Sequence, residues 1–400
     1  MSDVFAIKSD FIVTENSIVS GFLVIEEGKI KQICDDWQGK FVDYGDKKVL
    51  PGFVDLHIHG FCRGSFAFKG TVGSLRRMSE DLVNAGVTSY LPTTTTMPYD
   101  FLLDSMESIG RYISIQTPSM GAEVLGTHLE GPFISPERIG LQRSDCLLEP
   151  SVEKFDRLNE ASGRNVRMVT LAPELEGALE LISHMTSQGI TASAGHSSAT
   201  FDEICKAKEV GLNHFTHSYS GMREFHHREL GVVGSLMYHQ DMYADVAKQT
   251  GMTISDQAFD ILYRLKGDER MVVMSDCMGY VDFPEGYTFD HYLRKERFSI
   301  VDNLLHIEGE SGNRVLKADD FEEVNRLEMD HLASARRILS RLDKNFLSLS
   351  KLMSFNPAIQ AGVADRKGSL EKGKDADIIV VDDELNLQTV YRNGQVVPLN

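Results

Sequence analysis

The sequence predicts a TIM-like (β/α)8 barrel that carries a small β-sandwich domain formed by both chain termini. Three observations predict it. The middle of the chain alternates apolar strand-like runs with amphipathic stretches about eight times, the pattern of parallel β/α units. The two ends share a different, β-rich pattern. The 400 residues exceed a usual single domain but suit a barrel with a small accessory domain.

From Val4 to Val49 the chain reads as short strands with turns: "FIVTENSIVSGFLVIEEGKIKQI" sets β-branched runs between Asn16-Ser17 and Glu27-Gly28. The far end, Gly368 to Val397, offers strands around Ala376–Val381 and Thr389–Tyr391, with Asn393-Gly394 as a hairpin turn. Residues 1–50 and 366–400 are therefore assigned to one small β domain, and 51–365 to the barrel. The barrel strands are expected to end at "VDLHIHG", "VTSYLPTTTT", "VLGTHLEGPF", "VRMVTLAPE", "ITASAGH", "LNHFTHSY", "MYADVAKQ" and "MVVMSDCM". Between them, Val72–Ala85, Glu176–Gln188 and Phe201–Val210 space their apolar residues as helices do. Tyr280 to Leu342 breaks the period and reads as an insertion, first β and then helical.

Composition narrows the function. With 42% hydrophobic and 25% charged residues, the chain matches a soluble globular protein with a sizeable core. A formal charge of −18 argues against nucleic acid or an anionic membrane as partner, because those surfaces reward clustered Lys and Arg. An anionic small molecule then needs a local basic pocket. No apolar run approaches a membrane span, and Met1-Ser2-Asp3 lacks the pattern of a signal peptide, so a cytoplasmic location is expected. The five cysteines, Cys34, Cys62, Cys146, Cys205 and Cys277, are scattered and never in C-x-x-C, which suits reduced packing residues.

Chemistry in such a barrel sits at the C-terminal ends of the strands, and the metal-competent residues fall there. His57 and His59 close the first strand, Glu130 the third, His196 the fifth, His217 the sixth and Asp276 the eighth. Side chains two apart on a strand point the same way, so the imidazoles of "HIH" converge on one point. Each residue also has a plainer reading: Glu130 as a helix cap, His196 as the cap of a helix starting near Ala199, His214 sharing duty with His217, Asp276 as a cap. Taken together they favour one bound divalent ion, since a carboxylate at the end of an apolar strand is costly to bury without a cation or hydrogen bonds.

The motifs "PGFVDLHIHG", "GVTSYLPT", "THLEGPFI", "AGHSSA", "FTHSYSGM", "SDCM" and "GSLEKGKDADIIVVD" resemble, in order and across nearly the whole chain, those of the N-acetylglucosamine-6-phosphate deacetylase family within the amidohydrolase superfamily. The resemblance implies metal-dependent hydrolysis of the acetamide of N-acetylglucosamine 6-phosphate. Glu130, His196 and His217 then resemble the ligands of the main metal, His57 and His59 the pair that in some members helps hold a second ion, and Asp276 the catalytic carboxylate. Imidazole and carboxylate ligands suit zinc, as one ion or two, though nickel, cobalt, manganese and iron accept similar sets. Arg228, after "GMREFHH", resembles the arginine used on the phosphate, where a guanidinium fits bidentately; Ser220 and Gly221 fall on family substrate positions. A homodimer is implied by the resemblance alone.

Two departures fall on substrate handling. Where the family carries Lys-Gly-x-His after its Gly-Pro-Phe, "ERIGLQRSD" places Gln142 at the histidine. Where the seventh strand should lead to Asp-Gly-x-His, "KQTGMTIS" keeps a glycine, Gly251, but sets Thr253 at the histidine. A further family stretch, Gly-Ser-x-Leu-x-Met, finds no clean counterpart in "GESGNRVLKADDF". Losing a polar contact can shift selectivity by powers of ten, so N-acetylgalactosamine 6-phosphate or another amide stands as an alternative substrate. A metal-bearing scaffold without activity is the third reading; a carboxylate at Asp276 beside the ligands argues against it, because a closed structural site needs none.

Overall fold

Eight short apolar strands, buried on both faces as parallel barrel strands must be, run in chain order around a nearly closed barrel. They are Phe53–Ile58, Val87–Thr94, Thr127–Glu130, Val166–Leu171, Thr191–Ala194, His214–Phe215, Tyr243–Ala247 and Met271–Met274. The computed structural model describes residues 4–247, 253–291, 295–302, 304–310 and 312–399. Every pairing between these strands is parallel. The last strand meets the first just past its end, where Asp276 N–H donates to the His57 carbonyl (2.8 Å) and His59 N–H to the Cys277 carbonyl (2.8 Å).

Helices pack outside the ring, and their starts are written in the sequence. Thr71, Ser151, Thr200 and Ser255 each accept a bond from the first turn that follows, satisfying one of the orphan donors there. Thr200 and Glu203 form a reciprocal capping box. The helix Phe201–Glu209 is thus capped by Thr200, and His196 is left for other work. The expected helices at Val72, Glu176 and Phe201 are observed as Val72–Leu82, Ala178–Ser187 and Phe201–Glu209.

Both chain ends enter one eight-stranded sheet. Ile378–Val381 lies antiparallel to Lys48–Pro51, with Ile379 opposite Leu50, and Lys48–Pro51 continues parallel to Val4–Val13. The segment that breaks the β/α period is a four-stranded antiparallel sheet from Thr288–His291 to Arg314–Lys317, followed by the helices Phe321–Glu328 and His331–Arg341. It has its own apolar cluster of Tyr280, Phe298, Ile300, Leu305 and Ile307. No helix among the described residues is long and apolar enough to cross a membrane.

A buried ionic clasp joins the terminal sheet to the barrel. Glu123, on a two-residue strand beside Val87–Thr94, takes Lys367 (2.8 Å), Arg366 (2.7 Å) and Arg392 (3.2 Å). Lys367 also reaches Asp377 (2.5 Å) and Asp375 (3.0 Å), and Arg392 donates to the Thr88 carbonyl (2.7 Å). Burial pushes the Glu123 carboxyl up, but Lys367 and the two guanidiniums outweigh it and hold it at about 2.

Glu123→Ala should therefore cost about 2 kcal/mol, the worth of a charge-assisted acceptor, since Lys367 and Arg366 keep Asp375 and Arg392 keeps the Thr88 carbonyl. A carboxylate depressed from 4.5 to about 2 contributes stability that is present above pH 4.5 and lost as the pH falls through 2. Denaturant unfolding at a series of pH values should show the variant with a shallower loss of stability across that window.

Candidate metal centre

Three of the residues at the mouth of the barrel have left-handed backbone: His196 (φ 47°), His217 (φ 34°) and Asp276 (φ 49°). Such conformations cost about 1–3 kcal/mol each in a residue other than glycine. They follow directly on the fifth, sixth and eighth strands, where the chain turns sharply and swings each side chain over the barrel axis. Hydrogen bonds hold the turns. Asp245 accepts the His217 N–H and Asp55 accepts those of His57 (3.2 Å) and Ser275 (3.1 Å).

The side chains meet at Glu130, which is 2% exposed. Its Oε1 lies 3.1 Å from His217 Nε2, 3.3 Å from His196 Nε2 and 3.5 Å from His57 Nε2, while Oε2 lies 3.3 Å from His59 Nε2. Asp276 Oδ1 sits 3.5 Å from His57 Nε2 and 3.4 Å from His59 Nε2. The donors divide into two triads, His57–His59–Glu130 and Glu130–His196–His217, each with its ligand atoms within 4.8 Å of one another.

The far side of each ring decides what this cluster can hold. His59 Nδ1 donates to the Thr93 carbonyl (3.1 Å), His196 Nδ1 to the Arg138 carbonyl (2.7 Å) and His217 Nδ1 to the Ser220 carbonyl (3.0 Å). A carbonyl only accepts, so each Nδ1 carries the proton and each neutral ring turns an Nε2 lone pair inward. His57 Nε2 is 3.1 Å from that of His59, and His217 Nε2 is 3.2 Å from that of His196. Lone pairs facing lone pairs and a carboxylate need positive charge between them. A divalent cation fits this donor set, in the way Nδ1-anchored histidines commonly serve metals.

Protons answer the same need when no cation does. Burial pulls His59 down, yet its bonds to Asp276 and Glu130 raise it to about 10; His217, buried likewise, is raised to about 9 by Glu130. Burial pushes Glu130 up, but His57 and the bonded imidazoles hold it well below the usual carboxylate range. Asp276 behaves alike, lowered by His57 and His59 against burial. Behind the site, burial lifts Asp245 to about 8 and drops His214 to about 3. His214 bonds Ser193 (2.9 Å) and does not join the cluster.

The other sequence candidates fall around this core. Ser220 holds His217 through its carbonyl, and a Cβ on Gly221 (φ 59°) would come within 3.2 Å of His196 Nδ1. Gln142 Nε2 donates to Glu130 Oε2 (2.6 Å). Thr253 donates to the Ala247 carbonyl (3.0 Å), while Gly251 lies outside the described residues. Arg228 is exposed, its Nε on His227 (3.1 Å). Sequence reasoning missed Asp55 and Asp245, which accept backbone N–H groups of or beside the cluster residues, and Thr93 and Arg138, whose carbonyls accept ring Nδ1–H groups. It also missed two further carboxylates: the half-buried Glu174, bonded to Ser197 and Ser198 (2.7 and 2.6 Å), and the buried Glu328, bonded to Met278 and Gly279 N–H (2.8 and 3.2 Å). The one available signal was Asp55 itself, a charge within the apolar first strand.

The sequence profile of the amidohydrolase family matches residues 48–397. An N-acetylglucosamine-6-phosphate deacetylase of Bacillus subtilis is 30% identical over 99% of this chain and 98% of its own length. An N-acetylgalactosamine-6-phosphate deacetylase of Escherichia coli is 28% identical over 87% of both chains. Among solved structures, the N-acetylglucosamine-6-phosphate deacetylase of Pasteurella multocida superimposes with a TM-score of 0.82 at 23% identity, covering 98% of this chain and 99% of that one. That of Thermotoga maritima gives 0.78 at 26% identity, covering 98% of both.

Since His59 and His217 hold protons up to about 10 and about 9, metal must displace them at pH 8. Calorimetric titration of chelator-treated protein with Zn2+, in buffers of different ionisation enthalpy, should show release of about two protons on loading, with affinity rising toward pH 10. Loading without proton release would remove the assignment of these rings as ligands.

Proposed function

The chain belongs to the amidohydrolase family, and from that premise we propose that it hydrolyses the acetamide of N-acetylglucosamine 6-phosphate, giving glucosamine 6-phosphate and acetate. The observation that carries the reading is the buried Glu130–imidazole cluster with Asp276 at its edge, on a chain related along nearly its whole length to a deacetylase of that sugar. Glu130, His196 and His217 would hold the main ion, with His57 and His59 completing a second position that shares Glu130. Mixed imidazole and carboxylate donors favour zinc. When bound, such an ion lowers the pKa of water toward 7 and polarises an acyl carbonyl.

Asp276 supplies the proton chemistry. Its carboxylate lies at the edge of the cluster, 3.5 and 3.4 Å from His57 and His59 Nε2, and as an ionised group it accepts the proton of the attacking water. Its side chain is 30% exposed whereas Glu130 is buried, which gives it access to substrate. The same group then returns the proton to the departing sugar amine, and a protonated amine leaves where an amide anion does not. Glu130 stays with the imidazoles throughout. Arg228 is the cation assigned to the phosphate, and its exposure leaves the guanidinium available for two parallel bonds to that dianion. A cytoplasmic homodimer completes this reading; the location rests on the sequence pattern and the dimer on the family resemblance alone.

The second reading is N-acetylgalactosamine 6-phosphate, favoured by the Escherichia coli relative and by Gln142 and Thr253 at positions where the family resemblance expects histidine. Zinc-loaded protein incubated with the two sugar phosphates and with unphosphorylated N-acetylglucosamine should release free amine fastest from N-acetylglucosamine 6-phosphate. Faster release from the galacto isomer would reassign the substrate, and no release from either would remove the deacetylase reading.

Asp276→Asn should lower kcat by about 10²- to 10⁴-fold with bound zinc unchanged; wild-type turnover would unseat the proton shuttle. Arg228→Ala should raise KM for the phosphorylated sugar by about tenfold or more, the worth of a charge-assisted bond, while the free sugar is unaffected. Equal effects on both sugars would separate Arg228 from the phosphate.

A further inference from the structure

We propose that Gln142 is a positioning residue for Glu130, locking the carboxylate that the metal needs, and that its task is not substrate contact. The inference rests on the metal centre of the reading above. Both ends of the Gln142 amide are engaged: Nε2 donates to Glu130 Oε2 (2.6 Å) and Oε1 accepts from the Thr96 N–H (2.6 Å). The orientation is forced, since a backbone N–H only donates and an ionised carboxylate only accepts. Thr96 thus fixes Gln142, and Gln142 fixes Glu130.

That lock matters because the terminal torsion of a glutamate is broad and two-fold. Glu130 must offer Oε1 to His196, His217 and His57 while Oε2 faces His59. A quarter turn of the carboxylate would spoil both sides at once. The neutral amide holds Oε2 without cancelling its charge, so the full negative charge stays available to a cation, which a bonded Lys or Arg would partly neutralise. An amide also does not titrate, so the lock is the same at every pH where the protein is folded.

The loop that carries Gln142 is fastened to the same centre at other points. Ser135 N–H donates to the His196 carbonyl (2.9 Å), and the Arg138 carbonyl accepts the His196 Nδ1–H (2.7 Å). At Gly140 (φ 60°) any Cβ would come 3.0 Å from His196 Cε1. Gln142 N–H then closes a turn on the Ile139 carbonyl (3.0 Å). One short loop therefore fixes the side chains of two ligands, His196 through its main chain and Glu130 through Gln142.

The test uses full-length protein stripped by chelator and titrated with Zn2+ against a chromophoric competitor, as wild type, Gln142→Ala and Gln142→Met. The methionine keeps the length and loop packing but has no amide, and circular dichroism checks that each variant is folded. Both variants should bind the first ion about 10- to 100-fold more weakly, the usual cost of losing a partner behind a metal ligand. At saturating zinc, KM for N-acetylglucosamine 6-phosphate should stay within about threefold of wild type, as for a residue outside the substrate's contacts. Unchanged zinc affinity with a KM raised tenfold or more would overturn the proposal and return Gln142 to the substrate. A wild-type protein that binds no zinc would instead overturn the metal centre itself.

Discussion

One buried carboxylate among four imidazoles is the constraint on which the rest of this structure depends. Glu130 is ionised, almost wholly enclosed, and within 3.5 Å of His57, His59, His196 and His217. Leaving such a charge bare in an apolar barrel would cost several kcal/mol, and the rings anchored through Nδ1 answer it with lone pairs rather than protons. Only a cation, or protons taken up in its place, satisfies the arrangement. The chemistry follows from that deficit.

Holding the arrangement open requires work elsewhere in the barrel. The interior carries a ladder of buried polar groups: His128 bonds the Leu56 carbonyl (3.0 Å) and Thr170 (2.7 Å), Thr170 bonds Thr216 (2.7 Å), Thr216 bonds Ser193 and Ser193 bonds His214. Each member has a partner, so the polar layer is affordable in a way that isolated groups would not be. It sets the strand ends at fixed mutual distances beneath the Glu130–imidazole cluster. Asp245 and Asp55, buried in the seventh and first strands, then hold the backbone N–H groups of His217 and His57. Asp55 also takes the Ser275 N–H, and the His196 carbonyl accepts the Ser135 N–H, so the left-handed turns at His196, His217 and Asp276 are each tied by a neighbouring bond.

The barrel, the terminal sheet and the clustering of His, Glu and Asp at the strand ends were legible because each leaves a one-dimensional trace. Strand ends are marked by a change from apolar residues to His, Glu or Asp, and His57 and His59 declare a shared face by their spacing alone. Gln142 was legible only as a departure from a pattern; that it reaches back to Glu130 is set by the path of a loop which no periodicity describes. Asp245 lies in "YADVA", where a charge among apolar residues gives no hint that its partner is an N–H 28 positions earlier. Contacts between loops distant in the chain are fixed by the closed barrel, so they become visible only once it is built.

Glu328 shows the same logic applied to the insertion. Asp276 sits at the last barrel strand, and the chain then leaves the β/α period through a four-stranded sheet and returns at the helix Phe321–Glu328. At that return the buried Glu328 carboxylate accepts the N–H groups of Met278 and Gly279, two and three residues past Asp276. The next helix is capped at once by Asp330, which accepts the Ala333 N–H (2.6 Å). The excursion therefore begins and ends on one clamp beside Asp276. Its sheet packs around Phe298 and Ile307 in a cluster of its own, so side chains within it can change without moving Asp276, whereas the clamp itself cannot.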